Sequence, residues 1–346
     1  MFKNKKYYKF FYIWLFLLIM LVALIIIVGG LTRLTESGLS ITKWELFSGI
    51  LFPMNEDQWE LYFSLYKKIP QYVFLYPDMT LVEFKYIFIW EYSHRLLARL
   101  IGLFFLIPFL FFYFTKSLNK NLSIQLMYIF ILILIQGFAG WFMVQSGLVN
   151  DVTVSHYRLA FHLCMAFIIL SLLVWLFLNL KFSISGKYLQ NNTNFNFPKI
   201  LLVLIFVQII MGALVSGLDA GKAYQTWPLM NGTYFPNDSQ LSNLFNFDKP
   251  SIVQFFHRNL AYVILCMTIY YAYFIIKNNL KKIYYPYLLF LSFIIVQIIL
   301  GVLVLFSGVN LYLASMHQIS SIFLIVSYLY LLHRTIASQY RGNLII

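Results

Sequence analysis

Acidic residues are scarce in this chain, and so is charge of either sign. Only 12 of 346 residues are Asp or Glu, and charged residues make up 11% of the total. Ordinary soluble domains carry about 25% charged residues, so that class is excluded. The net charge of +13 reflects missing acids rather than a dense basic face, which argues against nucleic acid as a partner. With 61% apolar residues the chain is also far from disordered. Cysteine is nearly absent: Cys164 and Cys266 both sit in apolar runs, which excludes a disulfide framework or a thiolate metal site. An all-α polytopic membrane protein remains, with lipid as its surroundings.

Eight runs are long enough to span a bilayer, which takes about 20 apolar residues. They fall near 11–30, 86–114, 122–144, 156–180, 199–217, 252–276, 283–306 and 313–335. Gly29-Gly30 is expected to close the first run and lead into a polar loop. One set of connections and termini carries Lys3, Lys5, Lys6, Lys9, Lys116, Lys120, Lys181, Lys187, Lys199, Lys277, Lys281, Lys282, Arg334 and Arg341, and no acid. Basic short loops stay in the cytoplasm, so both termini are expected inside a bacterial inner membrane. The two long loops, 31–85 and 218–251, then face outward.

The second half repeats the first. Ser37-Gly38-Leu39 is matched with Ser216-Gly217-Leu218, and Trp44, Gly49 and Phe52-Pro53 with Trp227, Gly232 and Phe235-Pro236. That alignment requires a four-residue insertion before the second Trp. Span three carries Gln136, Gly140 and Ser146-Gly147, and span seven repeats them as Gln297, Gly301 and Ser307-Gly308. The expected architecture is two tandem four-helix bundles, 1–180 and 199–346, joined by a cytoplasmic linker at 181–198. Four spans per copy make the copies parallel in orientation.

Four of six histidines recur at matching places near the outer ends of spans two, four, six and eight: His94, His162, His257 and His317. An ionisable residue inside a span marks a functional site by default. Two histidines per bundle suit axial ligation of a haem from both faces, whereas zinc wants three or four protein ligands. His156 lies six residues before His162, on another helix face. His333, sixteen residues past His317, reads as a residue of the basic tail. The halves differ three residues before the first histidine, where Glu91 faces Gln254. Only the N-terminal copy therefore offers a carboxylate for proton or charge chemistry; its structural alternative is an ion pair with Arg95, Arg99 or Arg158.

These stretches resemble the haem A synthase family, in its longer alphaproteobacterial and mitochondrial branch. The resemblance rests on Gly29-Gly30-Leu-Thr-Arg33-Leu-Thr-Glu-Ser37-Gly38, Glu91-Tyr-Ser-His94-Arg95 and Tyr157-Arg158-Leu-Ala-Phe-His162. In the second half it rests on Trp227-Pro-Leu-Met-Asn-Gly232, Phe256-His257-Arg258 and Met316-His317-Gln318. It implies oxidation of a porphyrin methyl of haem O to the formyl group of haem A, for cytochrome c oxidase, with water as oxygen source. It further implies substrate haem on His94 and His162, haem B on His257 and His317, Glu91 as the catalytic acid, and Arg95 and Arg258 in the haem environment. The partners to expect are an external electron acceptor, a haem O synthase and a second copy of the chain. The cysteine pair that some bacterial members carry in the first outer loop is missing here, so no thiol chemistry carries over. The competing reading is a non-catalytic di-haem b-type electron carrier; it accounts for four histidines but not for the Glu91/Gln254 difference. A transporter would need polar residues at the midplane.

Overall fold

The computed structural model describes residues 5–43, 48–149, 151–182, 197–240 and 244–342. Eight of its helices are long and apolar enough to cross a membrane. They are α1 (Tyr8–Leu34), α4 (Leu81–Phe114), α5 (Lys120–Val149), α6 (His156–Lys181), α7 (Phe197–Gly217), α8 (Pro250–Lys277), α9 (Tyr284–Phe306) and α10 (Leu311–Gly342). No strand occurs among the described residues. The protein is a multi-pass, all-α membrane protein, with every expected span present. The linker expected at 181–198 lies mostly outside the described residues.

Two features of the expected layout change. Gly29-Gly30 does not end the first span: α1 continues to Leu34, because both glycines are docking points for neighbouring side chains (below). The first long loop contains two further helices, α2 (Glu56–Tyr66) and α3 (Pro70–Leu75). Asn55 caps α2 by accepting a bond from the Gln58 amide at 3.0 Å, and Glu56 and Asp57 complement the helix dipole in its first turn. Trp59, Phe63 and Tyr66 recur at helical spacing and bury one stripe against Phe84 and Phe88 of α4. That aromatic seam fixes the loop over the histidine end of α4.

In the N-terminal half α1 packs on α4 and α6, and α5 packs on α4 and α6. In the C-terminal half α8 packs on α7 and α9, and α9 on α10; α6 meets α7 and α10, and α1 meets α10. Lipid removes the usual hydrophobic drive between helices, so packing and polar contacts decide the pairing. One such contact follows from a proline. Pro108 inside α4 has no N–H to give the carbonyl of Phe104, and the Trp14 indole of α1 donates to that carbonyl instead, at 2.8 Å. At the short-loop end His333 is fully buried, with Nε2 3.1 Å from Asn179 Oδ1 and its ring against Trp175. It is a helix-packing residue of α10 rather than part of a tail, since α10 runs on to Gly342.

Candidate functional site

Each candidate histidine lies within the first few turns of its helix at the long-loop end, and each is seated on a glycine of the preceding span. His94 rests on Gly29, His162 on Gly140, His257 on Gly212 and His317 on Gly301. A methyl group at these glycines would stand 2.8, 3.0, 3.2 and 3.2 Å from the imidazole Cε1. Only glycine lets the backbone approach a ring so closely. In three seats a glutamine one turn before the glycine donates from Nε2 to the carbonyl of the histidine itself. Gln136 reaches His162 O at 2.9 Å, Gln208 reaches His257 O at 3.0 Å, and Gln297 reaches His317 O at 3.0 Å. Gln136 Nε2 also lies 3.3 Å from the His162 ring nitrogen Nε2.

The His94 and His162 rings face each other with centroids 6.4 Å apart and planes crossed at 71°. His257 and His317 are likewise within electrostatic reach of one another. Metal–imidazole bonds are about 2 Å long. Two of them, with the step from each nitrogen to its ring centre, match the 6.4 Å gap. All four Nδ1 atoms are buried without a hydrogen-bond partner, an unmet demand that tautomer choice and metal ligation can relieve. No three His, Cys, Asp or Glu side chains gather around one point among the described residues. Paired imidazoles alone suit an ion that brings its remaining ligands with it in a planar macrocycle, so the donor set fits a haem.

Glu91 is 3% exposed and both its oxygens are engaged. Oε1 pairs with Arg95 Nη2 at 2.6 Å, while Oε2 accepts from Ser40 Oγ at 2.7 Å and from the Ile41 amide at 2.8 Å. Of its three candidate ion-pair partners, Arg95 is the one in contact; Arg158 instead donates to Phe142 O at 2.7 Å. Arg95 also donates to the carbonyls of Ile41, at 2.9 Å, and Lys43, at 3.4 Å. In the other half Arg258 donates to the carbonyls of Tyr224 and Thr226, at 2.9 and 2.8 Å. Gln254, 2% exposed, gives its Nε2 to Tyr224 O at 2.9 Å. Both arginines thus pin the incoming loop to the histidine helix, with a second tie from the Glu91 carboxylate in one half and from the Gln254 amide in the other.

The comparisons with known proteins agree with one another. A family model described as cytochrome oxidase assembly protein matches residues 12–329. The chain is 47% identical to a haem A synthase of Pelagibacter ubique over 341 residues, 96% of this chain and 99% of the relative. It is 40% identical to the haem A synthase of Bartonella quintana, covering 91% and 89% of the two chains. For that of Wolbachia pipientis from Culex pipiens the identity is 41%, with coverage of 92% and 96%. The chain belongs to the haem A synthase family.

Within this haem A synthase family member, the contacts also revise how the two halves align. Glu36 and Asp219 both adopt left-handed backbone, with φ of 53° and 49°. Gly29 and Gly212 both seat histidines, and the carbonyls bonded by Arg95 and Arg258 are those of residues 41, 43, 224 and 226. All these pairs share one offset, and so do Trp44 and Trp227, although Trp44 lies outside the described residues. The four-residue insertion is therefore wrong: Gly38 corresponds to Gly221, and the two Ser-Gly-Leu triplets are a coincidence of small residues. That misalignment hid Gly29, Gly212 and Gln208. The Gln-x-x-x-Gly pattern, which recurs in spans three, five and seven, finds Gln208 and Gly212, and the corrected offset then leads from Gly212 to Gly29. His156, apart from the paired rings, has Nε2 3.2 Å from Asp248 Oδ1 and packs its Cβ on Gly217, so it joins the halves.

Proposed function

We infer that this chain is an oxidoreductase converting haem O to haem A. The observation that carries this reading is a facing histidine pair with a buried carboxylate three residues away in one half, beside a second pair with an amide in that place. The relatives named above support the substrate and product. In this reading His94 and His162 hold the substrate haem and residues 1–180 are the catalytic unit. His257 and His317 hold haem B in residues 199–346, joined through 181–198; haem B would supply one-electron redox capacity there.

Oxidising the methyl removes two electrons and a proton from its carbon, leaving positive character that water attacks. The water loses a proton, and a hydroxymethyl group results. A second such round gives a geminal diol, which expels water to form the aldehyde. The four electrons in all pass to an external acceptor. Glu91 acts as the fixed negative charge that favours the cationic carbon and as acceptor for the proton of the attacking water. Donors from Ser40 and Ile41 hold it oriented, and Arg95 carries the compensating charge. Arg95 and Arg258 shape the haem surroundings through the loop segments they anchor.

The charge pattern supports both termini in the cytoplasm and the histidine pairs toward the outer face of the inner membrane. An impermeant thiol reagent should then label a cysteine at exposed Lys68 in intact spheroplasts but not one at exposed Asn278. Haem O synthase as donor fits a membrane-embedded, lipid-soluble substrate. The deciding experiment is haem extraction from the protein co-expressed with a haem O source. Haem A should appear; haem B alone, with haem O unconverted, would mark a di-haem electron carrier.

A further inference from the structure

The four histidine seats are alike in their glycines and unlike in one position. One turn before the glycine stand Gln136, Gln208 and Gln297, each bonded to a histidine carbonyl at 2.9–3.0 Å. The residue in that place on α1 is Ile25, one turn before Gly29, and it has no donor to give His94. Elsewhere α1 grips α4 far toward the short-loop end, through Trp14, and one turn before His94 only by a long 3.4 Å contact from Thr32 to Trp90 O. At the level of His94, α1 is itself tied to the other half. Gln318, next to His317, fills the notch at Gly30 and donates to Ile26 O at 2.7 Å. So α1 is fixed there while the ligand segment of α4 lacks the side-chain tie that the other three ligand segments possess.

We propose that His94 is the exchangeable ligand of the substrate haem and that Ile25 makes it so. This rests on the reading that His94 and His162 bind haem. Gln136 locks the backbone of His162 to α5, so His162 keeps its place as haem enters and leaves. His94 rests on Gly29 with no side chain bonded to its own carbonyl, so it can part from the haem without first breaking the bond that holds the other three ligands. The C-terminal pair has a glutamine at both histidines, as a resident group requires; the N-terminal pair has one, as a group that must turn over requires. The asymmetry thus separates a substrate seat from a prosthetic seat independently of Glu91. Ile25 is a positioning residue: it acts through the backbone of His94 and touches no reacting atom.

The test is loss of haem from purified, haem-loaded protein to excess apomyoglobin, with the haem remaining on the protein extracted and separated as haem O and haem B. An interhelical hydrogen bond in a membrane protein corresponds to roughly a threefold to tenfold change in rate. Ile25→Gln should slow loss of haem O by about that factor, with the low-spin absorption spectrum unchanged, while Ile25→Leu leaves it as in the parent. Gln136→Leu should speed haem O loss, and Gln297→Leu should speed haem B loss without touching haem O. If Ile25→Gln disrupts folding, Ile25→Asn, a shorter amide donor at the same position, takes its place, because Gln136→Leu reports on His162. Unchanged haem O loss in whichever of these variants folds overturns the inference. Failure of the underlying reading looks different: His94→Ala and His162→Ala would then retain haem O as the parent does.

Discussion

The two halves solve one structural problem with different chemistry. In each, a long loop must be fastened over a histidine helix. In each, an arginine one residue past the histidine donates to two loop carbonyls. Beside Arg258 a neutral amide suffices, so the C-terminal half shows that the fold does not need a charge at this place. Beside Arg95 the same position holds a buried carboxylate with three donors. A buried ion pair is a poor source of stability, because desolvation offsets most of its attraction. A charge kept where its own repeat does without one is better explained by reaction than by folding.

The largest contrast should come from the histidines. His94→Ala or His162→Ala should abolish haem A formation, whereas His257→Ala or His317→Ala should chiefly lower bound haem B; extracted haems report both. Equal depletion of the same haem by changes in either pair would erase the division of labour. Next in size is Glu91→Gln. The amide can turn toward the loop carbonyl as Gln254 does, so the variant should insert, fold and keep its haem. Haem A output should nevertheless fall at least about a hundredfold, in the range for loss of an acid–base group. Near-normal output would leave Glu91 as a loop tie only.

The arginines give a smaller, thermodynamic contrast. Arg95→Leu leaves Glu91 charged, buried and uncompensated, a loss of about 3–5 kcal/mol. Arg258→Leu removes two bonds to carbonyls and strands no charge, a loss of about 1–3 kcal/mol. Thermal unfolding in detergent should therefore separate the two by several degrees. Combining Arg95→Leu with Glu91→Gln should recover much of the difference, and a failure to recover it would show that the guanidinium matters for the loop rather than for the carboxylate.

Much of this was legible in the sequence, and what was not has physical causes. Long apolar runs marked all eight spans, and the four histidines stood out because polar residues in spans are rare. Helices α2 and α3 did not, since a short amphipathic helix in a loop shows only one buried stripe, Trp59, Phe63 and Tyr66, among polar neighbours. The glycine seats were invisible as such: glycine is common in membrane helices, and its meaning at position 29 depends on a ring from another helix. His333 was misread because a charged neighbourhood in sequence, with Arg334 beside it, says nothing about the face turned to Asn179.

The smallest effect tests how the halves join. Arg33 donates to the carbonyls of Ser216, at 2.6 Å, and Gly217, at 3.4 Å, and pairs with Asp219 at 3.4 Å. By the corrected alignment Ser216 is the counterpart of Arg33 itself, and equivalent positions touch only beside the axis that relates two copies. The Arg33 side chain is 13% exposed and the Asp219 side chain 44%, so the carbonyl contact, not the ion pair, should carry the energy. An exposed pair contributes about 0–1 kcal/mol, and a charge-assisted bond to a carbonyl about 1.5–3 kcal/mol. Asp219→Asn should therefore shift the unfolding midpoint by a degree or two at most, and less at high salt. Arg33→Gln should shift it several times further, and only the ion-pair part of that shift should shrink at high salt. Equal shifts would place the energy of the junction in the ion pair rather than in the carbonyl contact.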